Sequence, residues 1–269
     1  LFAFGTAHAT PVIWSGTTNT DWGTGTNWTG GSVPNLNGTD TATVDNGDTV
    51  VYTPGGDLVI ATGSSLTLMG GSTWQQNVGN WTRFNGGVMN LNGGTFERTA
   101  AGNLVVGFEN GVGGTVTMSN ASSLNLGGEL WFGHNGTDRE NQVSSVGLSG
   151  GSSITAAGSV GVWFWDTDTT GNSFNLDVTA GLLANTVNGR VGRRNTGGTN
   201  NSVTWETLWD EGILTVNGGN SGVFADHFTT TGTPGNTSYS LQSLSAVPEP
   251  ASLVLLGLGG LAVLRLRRR

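Results

Sequence analysis

The 269-residue chain contains no cysteine and no lysine. Without thiols there is neither a disulfide framework nor a thiolate metal site. Arginine carries all of the full positive charge, and charged residues make up only 10 % of the chain. Between Thr10 and Ala246 six arginines face 17 acidic side chains, a balance of −11. Nucleic acid needs clustered cations to neutralise phosphates, so it is excluded as a partner. The one local basic group, Arg190, Arg193 and Arg194, reads as the solvated decoration of a single loop. Histidine is scarce: His8, His134 and His227. No serine near His227 sits in a G-x-S-x-G elbow, which leaves a hydrolase triad unsupported. His134 reads as a surface turn residue. No stretch from Thr10 to Ala246 shows a capped 3.6-residue apolar stripe, and low Lys and Glu content argues against helix.

What is abundant is glycine, 47 residues, together with Thr, Asn and Ser. Ten tryptophans and frequent Val, Leu, Ile and Phe at short intervals exclude a disordered chain. An apolar-Gly step recurs at Val78-Gly79, Val106-Gly107, Phe132-Gly133, Val160-Gly161 and Val191-Gly192, with Gly222 as a degraded sixth copy. The steps keep a period of ~28 residues, within the range of repeat architectures. Polar turns begin after each step, at Phe108, His134, Trp165 and Arg193. Alternating segments follow (Val116 and Met118; Val143 and Val146; Phe174, Leu176 and Val178; Val203 and Trp205). A third short apolar piece closes each unit: Leu124 and Leu126, Ile154, Leu182 and Leu183, or Ile213, Leu214 and Val216.

Three short strands per unit cannot bury an apolar face alone, but stacked units can. The expected fold is all-β: a right-handed parallel β-helix of ~28-residue coils, with an antiparallel β-sandwich as the alternative. The expected segments are 10–54, a Trp-rich amino-terminal cap; 55–225, the solenoid repeats; and 226–246, a last strand and linker. In the cap Trp14, Trp22, Trp28, Val33-Pro34 and Asp40-Thr41-Ala42 spell W…DW…NW…VP…DTA. That pattern resembles the opening of secreted bacterial β-helix proteins, including autotransporter-like repeat proteins. Three such closely spaced indoles are suited to plugging the open end of a solenoid.

Both termini read as addresses. Residues 1–9 look like the end of a secretory signal peptide, with Ala7-His8-Ala9 as an A-x-A cleavage site and Thr10 as the expected mature start. At 247–269 Pro248-Glu249-Pro250 precedes the uncharged run Ala251–Leu264, and Arg265, Arg267, Arg268 and Arg269 follow. The run is short for the ~20 residues of a spanning helix, although the arginine stems extend it. Triplet, apolar span and arginine cluster resemble the carboxyl-terminal sorting signal of PEP-CTERM proteins. The resemblance implies export in a Gram-negative bacterium, transient membrane insertion of a carboxyl-terminal transmembrane helix with its arginines cytoplasmic, and processing by the membrane enzyme exosortase. It implies an address and no activity.

Three chemistries remain for the body. Asp166, Asp168, Gly171 and Asp177 fit positions 1, 3, 6 and 12 of a calcium-loop pattern, departing from it at Thr170 and in the Asp at 12. Trp131, Trp163 and Trp165, if turned outward, would stack on sugar rings; otherwise they pack in the core or a seam. Catalysis would need clustered carboxylates, whereas Glu97, Glu109, Glu129, Asp138, Glu140, Asp177 and Glu206 are scattered singly. Asp210-Glu211 is the one adjacent pair in the body, and neighbours on a strand face opposite ways. The expectation is therefore a non-enzymatic surface protein without cofactor, structural or adhesive within the envelope or exopolysaccharide matrix. The alternatives are a glycan-binding module and a β-helix polysaccharide lyase or hydrolase.

Overall fold

The computed structural model describes residues 11–109, 112–134, 141–158, 161–165, 172–179, 183–194 and 200–244. The predicted signal remnant and the sorting tail from Val247 onward lie outside these residues. Among the described residues no helix is long and apolar enough to cross a membrane.

The body is a parallel β-solenoid of about six coils, and each coil gives one strand to each of three sheets. The first coil is Thr41–Val44, Thr49–Tyr52 and Leu58–Ala61; the sixth is Ser173–Val178, Thr186–Asn188 and Val191–Arg194. Within each strand inward and outward residues alternate, so every sheet presents one apolar face to the axis. In the first sheet Ala42, Leu66, Met89, Val116, Val146 and Leu176 stack in register. The coils lengthen along that column: Leu66 and Met89 are closer in sequence than Val116 and Val146. In the second sheet the inward column is Val50, Trp74, Phe96, Leu124, Ile154 and Val187. Trp74 and Phe96 lie nearly parallel, with centroids 6.0 Å apart, and Phe132 stacks on Phe164 at 4.4 Å in the third sheet.

The repeat register differs from the apolar-Gly spacing. The third-sheet column is Ile60, Phe84, Val106, Phe132, Phe164 and Arg193. Only Val106-Gly107 and Phe132-Gly133 are equivalent, because turn lengths vary between coils and the pairing follows the strands. Polar corners hold the coils together. Ser72, Ser122 and Ser152 are buried where the first sheet turns into the second. Ser122 Oγ accepts from Gly93 N of the coil below (2.9 Å), and Asn185 Oδ1 accepts from Gly151 N and Ser152 N at 3.0 and 2.9 Å. At the same corner Gly70 and Gly71 adopt φ of +57° and +84°, the left-handed backbone that glycine supplies without strain.

Both ends are closed. At the amino-terminal end Pro11–Ile13 pairs with Thr41–Val44, Trp22 N donates to Val51 O, and Ala61 N donates to Leu36 O. The cap therefore pairs with the first strand of all three sheets and covers edges that would otherwise template association. Trp14, Trp22 and Trp28 are buried, and Trp22 reaches Trp74 in the core at 4.6 Å. Trp28 Nε1 donates to Trp22 O, and Trp14 Nε1 donates to Asp48, both at 3.0 Å.

The other end departs from the expected strands. Trp205–Asp210 is an α-helix, capped by Thr204 Oγ1 accepting from Thr207 N, and it buries Trp205, Leu208 and Trp209. So short a helix has too few turns to display a 3.6-residue stripe, and Val203 and Trp205 look like strand alternation in the sequence. Leu214–Thr215 extends the first sheet beside Leu176-Asp177, and Asn200–Ser202 turns back antiparallel on the third. Phe228–Thr231 and Ser240–Ser243 form an antiparallel pair that closes the second sheet on Thr186–Asn188.

Replacing Trp28 with Ala should cost about 3–5 kcal/mol in denaturant unfolding. It should also promote association by uncapping the edges, as light scattering will register. The cap carries an acid-sensitive contact as well. Asp21 accepts from Thr53 Oγ1 (2.6 Å), which holds its carboxyl below the ordinary value of 3.8. That contribution is complete above pH ~4 and fades as the pH falls through the lower folded value, because the unfolded chain binds the proton first. Asp21→Asn should flatten the pH dependence of the cap's melting below pH ~4 and leave that dependence unchanged near neutrality.

Candidate functional site

The three tryptophans proposed for sugar stacking are buried, at 7 % (Trp131), 1 % (Trp163) and 3 % (Trp165) exposure. Trp131 and Trp163 do point away from the axis, on the outward face of the third sheet. Their rings are covered nonetheless. Trp163 lies over Gly192, where a Cβ would stand 2.5 Å from the indole, and the Arg190 guanidinium sits 5.9 Å from its centroid. Trp131 packs edge-on against Trp165 and Trp81 at 5.4 and 5.2 Å and donates from Nε1 to Glu129 at 2.6 Å. These indoles form a seam across coils instead of a sugar track.

His134 belongs to the same seam. Its ring centroid lies 4.6 Å from Phe108, 5.6 Å from Trp81, 5.7 Å from Trp131 and 5.8 Å from Trp165. It packs among aromatics, which a reading of its polar turn does not reveal. Arg83 closes the seam, 4.4 Å over Phe108 and paired to Asp57 at 3.0 Å. His227 packs on Trp209 at 5.1 Å, and its Nε2 faces Ser221 O at 3.2 Å.

Of the calcium-loop residues, Asp166, Asp168 and Gly171 lie outside the described residues. Asp177 Oδ1 accepts from Thr215 Oγ1 and Gly218 N, both at 2.8 Å, and so joins the sixth coil to the terminal strand. Among the described residues no three His, Asp or Glu side chains are grouped to hold a metal ion.

Two arginines take inward positions, and neither was legible as a core residue. Arg98 is 1 % exposed, on the inward face between Gln76 and Leu126. Its Nη1 donates to Gln76 Oε1 (3.1 Å) and Thr82 Oγ1 (2.7 Å), and its Nη2 donates to the Asn80 carbonyl. Loss of hydration lowers its pKa to about 10. Gly102 leaves the room it needs, since a Cβ there would stand 2.1 Å from Nη2. Arg193 takes the inward place that Phe164 holds one coil earlier and pairs with Glu211. It is therefore no part of a solvated basic loop, and Glu211 sits at the end of a helix, not on a strand. With Asn172, Ser173, Phe174, Gly212 and Ile213 this pair lines a cavity of about 410 Å³. A sequence signal for the site exists only in retrospect: an arginine in the register of an aromatic column.

Architecture and surface thus define a capped, cysteine-free β-solenoid. Residues 246–269 match the PEP-CTERM protein-sorting motif. That motif marks an exported protein sorted to the cell surface and is the recognition signal for exosortase processing. Pro248, Glu249 and Pro250, the arginines at 265, 267, 268 and 269, and the predicted cleavage residues Ala7 and Ala9 lie outside the described residues. No curated protein and no solved structure matches the chain.

Replacing Arg98 separates its bulk from its charge. Arg98→Ala should lower the unfolding free energy by roughly 3 kcal/mol, through the void and the orphaned acceptors. Arg98→Met fills the space and removes a costly buried cation, so it should stay within about 1.5 kcal/mol of the parent. Urea midpoints at constant slope measure both.

Proposed function

We propose that the protein is a non-enzymatic structural or adhesive element of the outer surface or extracellular polymer matrix of a Gram-negative bacterium. In this reading the solenoid is a stiff spacer, and the tail is a transient membrane anchor that exosortase removes. The observation that carries it is the union of a sorting motif with a capped rod that carries an uncharged hydroxyl column on the outer face of its second sheet. The outward column Thr49, Thr73, Thr95, Ser123, Ser153 and Thr186 runs unbroken through six coils. Such a surface is hydrated without drawing ions and suits contact with neutral exopolysaccharide.

The test is made in an exosortase-positive host. The wild-type chain should lose its tail and leave the inner-membrane fraction, while Pro248→Ala/Pro250→Ala should remain full-length and membrane-bound. Wild-type protein that keeps its tail in the membrane overturns the transient anchor. Release of reducing ends from acidic polysaccharides, with or without calcium, overturns the non-enzymatic reading.

A further inference from the structure

We propose that the cavity at the carboxyl-terminal end of the solenoid binds a single neutral sugar ring. At about 410 Å³ it has the size of a small-ligand site. Two donors at its wall, Asn172 Nδ2 and Arg193 Nε, are buried without a hydrogen-bond partner. Buried polar groups are nearly always satisfied, so two orphans at one cavity call for acceptor atoms from outside the chain.

The preceding coil shows how Asn172 comes to be unsatisfied. Gln142 aligns with Asn172, since Val143 pairs with Ser173, and Gln142 Nε2 donates to Glu109 O at 3.1 Å. Asn172 Oδ1 accepts from Gln142 N at 2.9 Å, but the amide ladder stops there and leaves Nδ2 over. Arg193 is the last member of the parallel run of its column, which the antiparallel Asn201 follows, and its Nη2 is held by Glu211.

Glu211 decides the charge of the ligand. Its side chain is 37 % exposed and offers a carboxylate acceptor beside the two orphan donors. Hydroxyl groups both accept and donate, so a vicinal diol answers Arg193 and Glu211 together. Phe174 adds an apolar wall for the C–H face of a ring. A ligand carboxylate would meet Glu211 at close range on a chain of net charge −8 and would have to displace it from Arg193.

The test titrates the full chain with methyl β-D-glucopyranoside and with its 6-carboxylate counterpart, methyl β-D-glucuronide, and follows amide shifts. The neutral glycoside should produce saturable shifts at Asn172, Ser173, Gly212 and Ile213. The glucuronide should bind at least about tenfold more weakly, as the cost of one opposed charge-assisted hydrogen bond implies. Glu211→Gln lies at an exposed position that should not disturb folding; it should weaken the glycoside about tenfold and narrow its margin over the glucuronide. Arg83→Gln, which removes the ion pair to Asp57, should leave both affinities unchanged. Absence of saturable glycoside binding, preference for the glucuronide, or equal affinity in Glu211→Gln and wild type overturns the proposal.

Discussion

The structure depends on in-register stacking of coils that are individually too thin to fold. Each coil exposes an apolar rim above and below, and only the next coil in the same register covers it. The columns of like residues, such as Val50-Trp74-Phe96-Leu124-Ile154-Val187, are the consequence. A slip of one residue would turn every inward side chain outward, so register is defended wherever a coil has the means. Ser72, Ser122 and Asn185 at the corners are such a means, because the side chain of each accepts from a backbone N–H of a neighbouring coil. Stacking also creates the problem of the two ends. Tryptophans and short pairing segments answer it at one end, and a short helix with an antiparallel pair answers it at the other.

Polar groups inside the rod have two characters. Arg98, Gln76 and Thr82 form a network in which most donors find acceptors, so a cation survives in the core at a moderate energetic cost. At the last coil the ladders run out. Asn172 and Arg193 then line a cavity where the parallel rungs end, and the regularity that stabilises the middle of the rod gives way to an unsatisfied site at its end. Trp131, Trp163 and Trp165 are spent on covering coils, while Arg193, Asn172 and Glu211 remain where a solute could meet them.

Delivery and architecture are carried by separate parts of the chain. The sorting motif is confined to residues 246–269 and would serve any exported body equally well. The solenoid supplies a cysteine-free body with paired ends and a net negative charge.

The sequence by itself determined the class of fold and the address. Alternation within a strand is local, set by the two-residue period of the backbone, and the PEP triplet with its arginine cluster is contiguous. A plug for the amino-terminal end was likewise visible in three closely spaced tryptophans. Tertiary structure alone decided the register, because turn lengths from coil to coil are not constant and pairing follows neighbours in space. It decided which face Trp163 occupies and what covers it, since alternation says only that adjacent residues differ. It made a helix of Trp205–Asp210, which is too short to announce itself. It also brought Arg193 into the place of a core aromatic and set Glu211, 18 residues on and across the terminal helix, beside it.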